Sequence, residues 1–94
     1  AHITGGGLID NPPRIFPRGT AAEIQLGSWP IPPLFRVLAS RGRLKLTEAY
    51  RTFNMGIGMI VVVARQDVAR VRRAVRCYEI GRIIKGDRKV RLVP

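Results

Sequence analysis

From Ile57 to Ala64 the chain runs Ile-Gly-Met-Ile-Val-Val-Val-Ala, with no polar side chain on either face. A short run that is apolar on both sides predicts a central strand, buried between two layers. Residues 21–26 alternate instead. Ala22, Ile24 and Leu26 fall on one side and Glu23 and Gln25 on the other, the pattern of a half-buried strand. After Asp67, Val68, Val71 and Val75 recur at i, i+3 and i+7, which predicts a helix with Arg70 and Arg73 in water and the Arg72 stem along the apolar stripe. A further helix is expected over 33–40, opened by Pro33, burying Leu34 and Leu38 between Phe35 and Val37, and stopped at Gly42. Trp29, in the rigid Gly27–Pro33 linker, is expected to pack against it.

The remaining segments are read from their breakers. His2-Ile3-Thr4 has the character of a strand end feeding Gly5-Gly6-Gly7, and residues 7–11 can make one helical turn before Pro12 and Pro13 end it. Residues 14–19 are expected to be irregular. Thr47 can cap a short helix through Arg51, and Asn54 and Gly56 tolerate the left-handed bend that reverses the chain into 57–64. Tyr78–Ile84 and Lys89–Val93 predict a closing hairpin around Gly86-Asp87, with Lys89 and Arg91 marking the last strand as an edge. The fold class is α+β, a mixed sheet packed with helices.

Ninety-four residues bound this to one domain at most, burying about 60–65% of its unfolded surface. The formal net charge of +11 changes the picture more, because it asks for an anionic partner. Between Arg65 and Pro94 ten Lys and Arg face only three acids. Yet Tyr50, Phe53 and Tyr78 do not alternate with arginines on any strand, as an RNA-binding sheet requires, so no nucleic-acid partner is expected. A lone cysteine, Cys77, fits a reducing cytoplasm. The longest apolar run holds ten residues, short of the roughly 20 that span a bilayer, so no membrane partner is expected either.

Two segments carry candidate chemistry. Gly5, Gly6 and Gly7 present N–H groups with no Cβ to obstruct them, so they can converge on a phosphate, or simply form a flexible turn. A helix beginning at Gly6 or Gly7 would add its N-terminal dipole. Thr4 can place a hydroxyl beside the same anion or cap the turn; His2 can act on a substrate or be an ordinary strand residue. Gly56 and Gly58, two apart, bare one face of an extended chain to a ligand or another backbone, while Asn54 can serve the site or merely stop a helix. Arg51 can pair with a phosphate or lie exposed. The six carboxylates are scattered, and no pair has the spacing of a magnesium site or an acid–base couple.

Taken in order, Ala1-His2-Ile3-Thr4-Gly5-Gly6-Gly7, Asn11-Pro12-Pro13-Arg14-Ile15, Ser28-Trp29, Pro32-Pro33-Leu34-Phe35, Tyr50 through Met59, and Tyr78-Glu79-Ile80-Gly81-Arg82-Ile83 form a set of motifs that covers the whole chain. This set resembles the C-terminal half of the phosphoribosylformylglycinamidine cyclo-ligases, or aminoimidazole ribonucleotide synthetases. One departure is the direct join Val75-Arg76-Cys77-Tyr78, where that family usually carries a glycine-containing loop and a Trp.

The resemblance implies residues 1–94 as the second part of that family's C-terminal domain, with the N-terminal ATP-binding domain absent. It implies an ATP-dependent, magnesium-requiring ligase of purine biosynthesis, cytoplasmic and homodimeric when complete, that closes the imidazole ring of formylglycinamidine ribonucleotide. This segment alone is expected to be inactive. By the same resemblance Thr4 to Gly7 form the glycine-rich loop, His2 stands beside it as a catalytic candidate, and Asn54, Gly56 and Gly58 form a second cleft-lining segment. Arg51 joins the phosphate-binding set, and no metal ligand falls on this chain. A basic RNA-binding module is the alternative from another class.

Overall fold

A computed structural model describes the whole chain, residues 1–94. Its sheet has three strands, β1 (Thr20–Gln25), β2 (Gly81–Lys85) and β3 (Val90–Val93), in the order β2-β1-β3. Four short helices accompany it: α1 (Gly7–Asp10), α2 (Pro33–Arg41), α3 (Leu46–Thr52) and α4 (Val68–Ala74), with 3₁₀ turns at Pro12–Ile15 and Arg65–Asp67. The expected α+β class and mixed sheet are present, since β1 pairs antiparallel with β2 and parallel with β3.

The strand at the centre is β1, not residues 57–64. Ala21, Ala22 and Ile24 are buried in β1, which is paired along both edges. The closing hairpin is also corrected. β2 and β3 do not pair with each other but straddle β1, and the chain crosses the start of that strand at Gly86, whose N–H donates to Gly19 O at 3.0 Å. A Cβ at Gly86 would stand 2.5 Å from that of Ala21, so only glycine lets the chain pass there. β3 is an edge strand, as Lys89 and Arg91 suggested.

Residues 57–64 form no strand beyond one antiparallel bridge, His2 to Met59. Ile3 N–H donates to Gly58 O at 2.9 Å and Ile60 N–H to Ala1 O at 2.8 Å, and there the pairing stops. Met59 and Val61 are about two-thirds exposed. Apolar residues on both faces specify a strand only where neighbours exist to pair with it, and within this chain Val61 to Ala64 have none.

The core is a single cluster of Ile3, Leu8, Ile24, Trp29, Tyr50, Met55 and Ile57. Helix α2 forms as expected but contributes only its flank: Leu34, Val37 and Leu38 are exposed, while Phe35 packs on Phe53 with ring centroids 6.0 Å apart. Trp29 meets Tyr50 edge-on at 6.4 Å and donates its Nε1–H to Met55 O at 2.9 Å. Thr47 is not a cap; Lys45 occupies that position, without a side-chain bond, because α3 starts two residues earlier, at Leu46.

Burial of Tyr50 pushes its phenol above the usual value, with the Arg36 charge opposing the shift. A folded pKa above the unfolded one favours the fold fully below about pH 10, and that advantage is lost as pH climbs through the raised value. The urea midpoint of the wild-type chain is therefore expected to fall more steeply above about pH 10 than that of Tyr50→Phe. Parallel curves for the two would show that the phenol does not couple to folding.

Candidate functional site

The two glycine-bearing segments lie side by side, joined by the Ile3–Gly58 hydrogen bond and the His2–Met59 bridge. Ile3 is buried beneath them, which leaves His2 and Thr4 exposed. The His2 imidazole makes no hydrogen bond within the chain and stands free beside the turn.

The turn at 4–7 is fixed by a residue absent from the expected site. Asn11 is 3% exposed; its Oδ1 accepts the Thr4 N–H at 2.6 Å and its Nδ2 donates to Gly5 O at 3.1 Å. In the sequence it shows only as an asparagine four residues after Gly7 and before the proline pair; its burial and its two hydrogen bonds belong to the structure. Gly7 N–H closes the turn on Thr4 O at 3.0 Å, whereas the N–H groups of Gly5 and Gly6 find no acceptor in the chain.

The glycines divide by the reason for their presence. Gly7, at φ 59, lies against the end of α3: an added Cβ would overlap Tyr50 O and come within 2.9 Å of Phe53 O. Gly56, at φ 92, would strike Pro32 Cδ at 2.7 Å. Gly6, at φ 100, would meet Asp10 Cβ at 2.8 Å. Gly5 and Gly58 are different, with nothing within 4 Å of the added atom and neither in the left-handed region. Packing does not require a glycine at either.

Three expectations change here. α1 has only four residues and carries Asp10 in its first turn, with Asp10 Oδ2 3.3 Å from the position a Gly6 Cβ would take, so the helix offers little dipole to an anion. Arg51 reaches the turn only through that carboxylate, its Nε 3.2 Å from Asp10 Oδ2. Asn54 does not make the left-handed bend, which falls on Met55 and Gly56; its Oδ1 instead accepts the Gly56 N–H at 2.8 Å. No group of three or more His, Cys, Asp or Glu converges anywhere, so this chain's residues do not fit a magnesium ion by themselves.

An α+β unit with a glycine turn clamped by asparagine against a second glycine-notched segment defines the class, and comparison with protein families agrees: the chain belongs to the family "AIR synthase related protein, C-terminal domain", matched over residues 1–93. Among curated proteins it is similar to phosphoribosylformylglycinamidine cyclo-ligase of Methylobacillus flagellatus, 51% identical over 88 residues that make up 88% of this chain and 25% of that protein. It is 46% identical over 92 residues to the enzyme of that name from Bacillus velezensis, covering 93% of this chain and 27% of the relative. A chloroplastic/mitochondrial form from Vigna unguiculata is 50% identical over 91 residues, 93% of this chain and 24% of that protein. The chain thus spans about a quarter of the length of the curated relatives it matches. No helix is long and apolar enough to cross a membrane.

Proposed function

We propose that this chain is the second part of the C-terminal domain of an ATP-dependent cyclo-ligase of purine biosynthesis, and that it supplies one wall of the cleft that converts formylglycinamidine ribonucleotide to aminoimidazole ribonucleotide. The observation that carries the reading is the pair of open glycines, Gly5 and Gly58, on adjacent segments, together with the unpaired N–H groups of Gly5 and Gly6. A backbone free of Cβ atoms lets a phosphate oxygen approach to hydrogen-bond distance, and amide donors aimed at that point need no reorganisation when charge arrives there.

An amide oxygen is a poor leaving group, and phosphorylation by ATP makes it a good one before the ring nitrogen closes the imidazole. In this scheme the amides of Gly5 and Gly6 hold a phosphoryl group of the substrate or the nucleotide. Thr4 offers its hydroxyl from the same exposed side, and His2, two residues before it and also exposed, is the catalytic candidate. Asn54, through the Gly56 N–H, and Asn11 hold the two segments in shape rather than touching substrate. Arg51 acts by offsetting the Asp10 charge under Gly6, which would otherwise repel an anion. Magnesium and the rest of the ATP site would come from the N-terminal domain, as would the homodimer contact, in a cytoplasmic enzyme.

Family membership and the aromatic residues favour this reading over an RNA-binding module. Trp29, Phe16 and Tyr50 are buried, leaving only Tyr78 well exposed as a stacking surface. The test is a chimaera in which residues 1–93 replace the matching quarter of the Bacillus velezensis cyclo-ligase. ATP-dependent ring closure at a rate within about tenfold of the parent, roughly 1.4 kcal/mol in the barrier, is expected. A soluble, folded chimaera with no activity would count against the assignment.

A further inference from the structure

Among the amide, hydroxyl, imidazole and charged side chains, only that of Asn11 is buried, and both ends of its amide are committed to the turn at 4–7. Its Oδ1 meets a donor, the Thr4 N–H, and its Nδ2 an acceptor, the Gly5 carbonyl. Such a pair of neighbours fixes which way the amide points and requires both halves of it. An aspartate would set a second oxygen against Gly5 O. A leucine of similar shape would leave both backbone groups without their partner.

The same contact aims a donor. Every peptide bond of the chain is trans, so the carbonyl and the N–H of one unit point in opposite directions. Gly5 O and the Gly6 N–H belong to one such unit. With the carbonyl drawn onto Asn11 Nδ2, the Gly6 N–H is turned away from the buried amide, and it has no acceptor in the chain. Thr4 O and the Gly5 N–H form the unit before it, whose carbonyl accepts the Gly7 N–H at 3.0 Å, so the Gly5 N–H is likewise turned out of the turn. The bond from Asn11 is the only hydrogen bond made by either group of the Gly5–Gly6 unit, and two glycines flank that unit with no Cβ to resist its rotation.

We infer that Asn11 is a positioning residue of the cleft: its side-chain amide holds the Gly5–Gly6 peptide plane so that the Gly6 N–H is presented to an anionic oxygen of the ligand. The inference rests on the cleft reading above, in which these amides meet a phosphoryl group, and adds what orients them. A diglycine unit left free would have to be ordered when the ligand arrives. With Asn11 in place the cost of that ordering falls on folding, and the donor needs no reorganisation on binding.

The test uses the chimaeric cyclo-ligase, as Asn11→Leu and as the parent carrying isotope-labelled glycine. In the variant, KM for formylglycinamidine ribonucleotide or for ATP, whichever the turn holds, is expected to rise about tenfold or more through loss of a charge-assisted hydrogen bond, and by a larger factor than kcat falls. A brace with no aiming role would reduce the amount of folded enzyme and leave both KM values at those of the parent, which would overturn the assignment. The labelled parent gives an answer even if the variant does not fold. Its Gly6 amide is expected to exchange its hydrogen about tenfold more slowly or less when that ligand is bound. Slowing at Gly5 with none at Gly6 would overturn the role of Asn11 alone. Slowing at neither, with both ligands bound, would remove the cleft reading together with it.

Discussion

Gly7→Ala is expected to abolish cooperative folding or to lower stability by several kcal/mol, on the order of 3–5, which is a large share of what a domain this size possesses. Two penalties act together. The backbone at Gly7 holds φ 59, a region that a residue with a Cβ enters only at a cost of about 1–2 kcal/mol. The new methyl would also overlap Tyr50 O and lie 2.9 Å from Phe53 O, and neither carbonyl can move without disturbing the end of α3. Tyr50 is itself in the core, edge-on to Trp29, so the displacement would spread to the residues that hold Ile3 and Met55 in place. Urea unfolding followed by tryptophan fluorescence measures this directly. An unfolding free energy within about 0.5 kcal/mol of wild type would mean that the turn and α3 are not in tight contact.

Gly7 also shows where the sequence was legible and where it was not. The glycine run marks a special backbone, and the structure has one there, but a sequence cannot say which glycines are bare for a ligand and which are bare for a carbonyl arriving from a distant helix. The element types were mostly readable: α2 and α4 from their periodicity, β1 from its alternation, α1 from the proline pair that stops it. Local pattern carries such information because it follows from the chain's own geometry.

Pairing was not readable, because it depends on what else is present to pair. Residues 57–64 look more like a central strand than β1 does, with three consecutive valines against two alanines, yet β1 sits at the centre. Gly86 and Asp87 read as a hairpin turn; only the close approach to Ala21 reveals a crossing over the start of β1. The same reasoning explains α2. Leu34 and Leu38 occupy one stripe, as their spacing requires, but periodicity fixes which residues share a face and not whether any partner covers it. In the site, the neighbouring segments were legible from the motifs, while the Asn11 clamp and the Asp10 carboxylate between Arg51 and Gly6 appear only in three dimensions.

The functional counterpart of Gly7 is the open pair. In the chimaeric enzyme, Gly5→Val and Gly58→Val are each expected to raise KM for a phosphate-bearing substrate by about 10–100-fold, while the unfolding free energy stays within about 0.5 kcal/mol of the parent. The separation follows from geometry, since a Cβ at either position meets no protein atom within 4 Å and neither glycine needs a left-handed backbone. In the proposed cleft a β-branched side chain at either position would crowd the approach of a ligand oxygen, and losing a charge-assisted hydrogen bond or two costs roughly 1.5–3 kcal/mol each. Gly56→Ala supplies the contrast, because its methyl would strike Pro32 Cδ at 2.7 Å and so should destabilise the fold. Kinetics unaltered in both valine variants, with folding intact, would leave the open glycines without a ligand and the cleft reading without its physical basis.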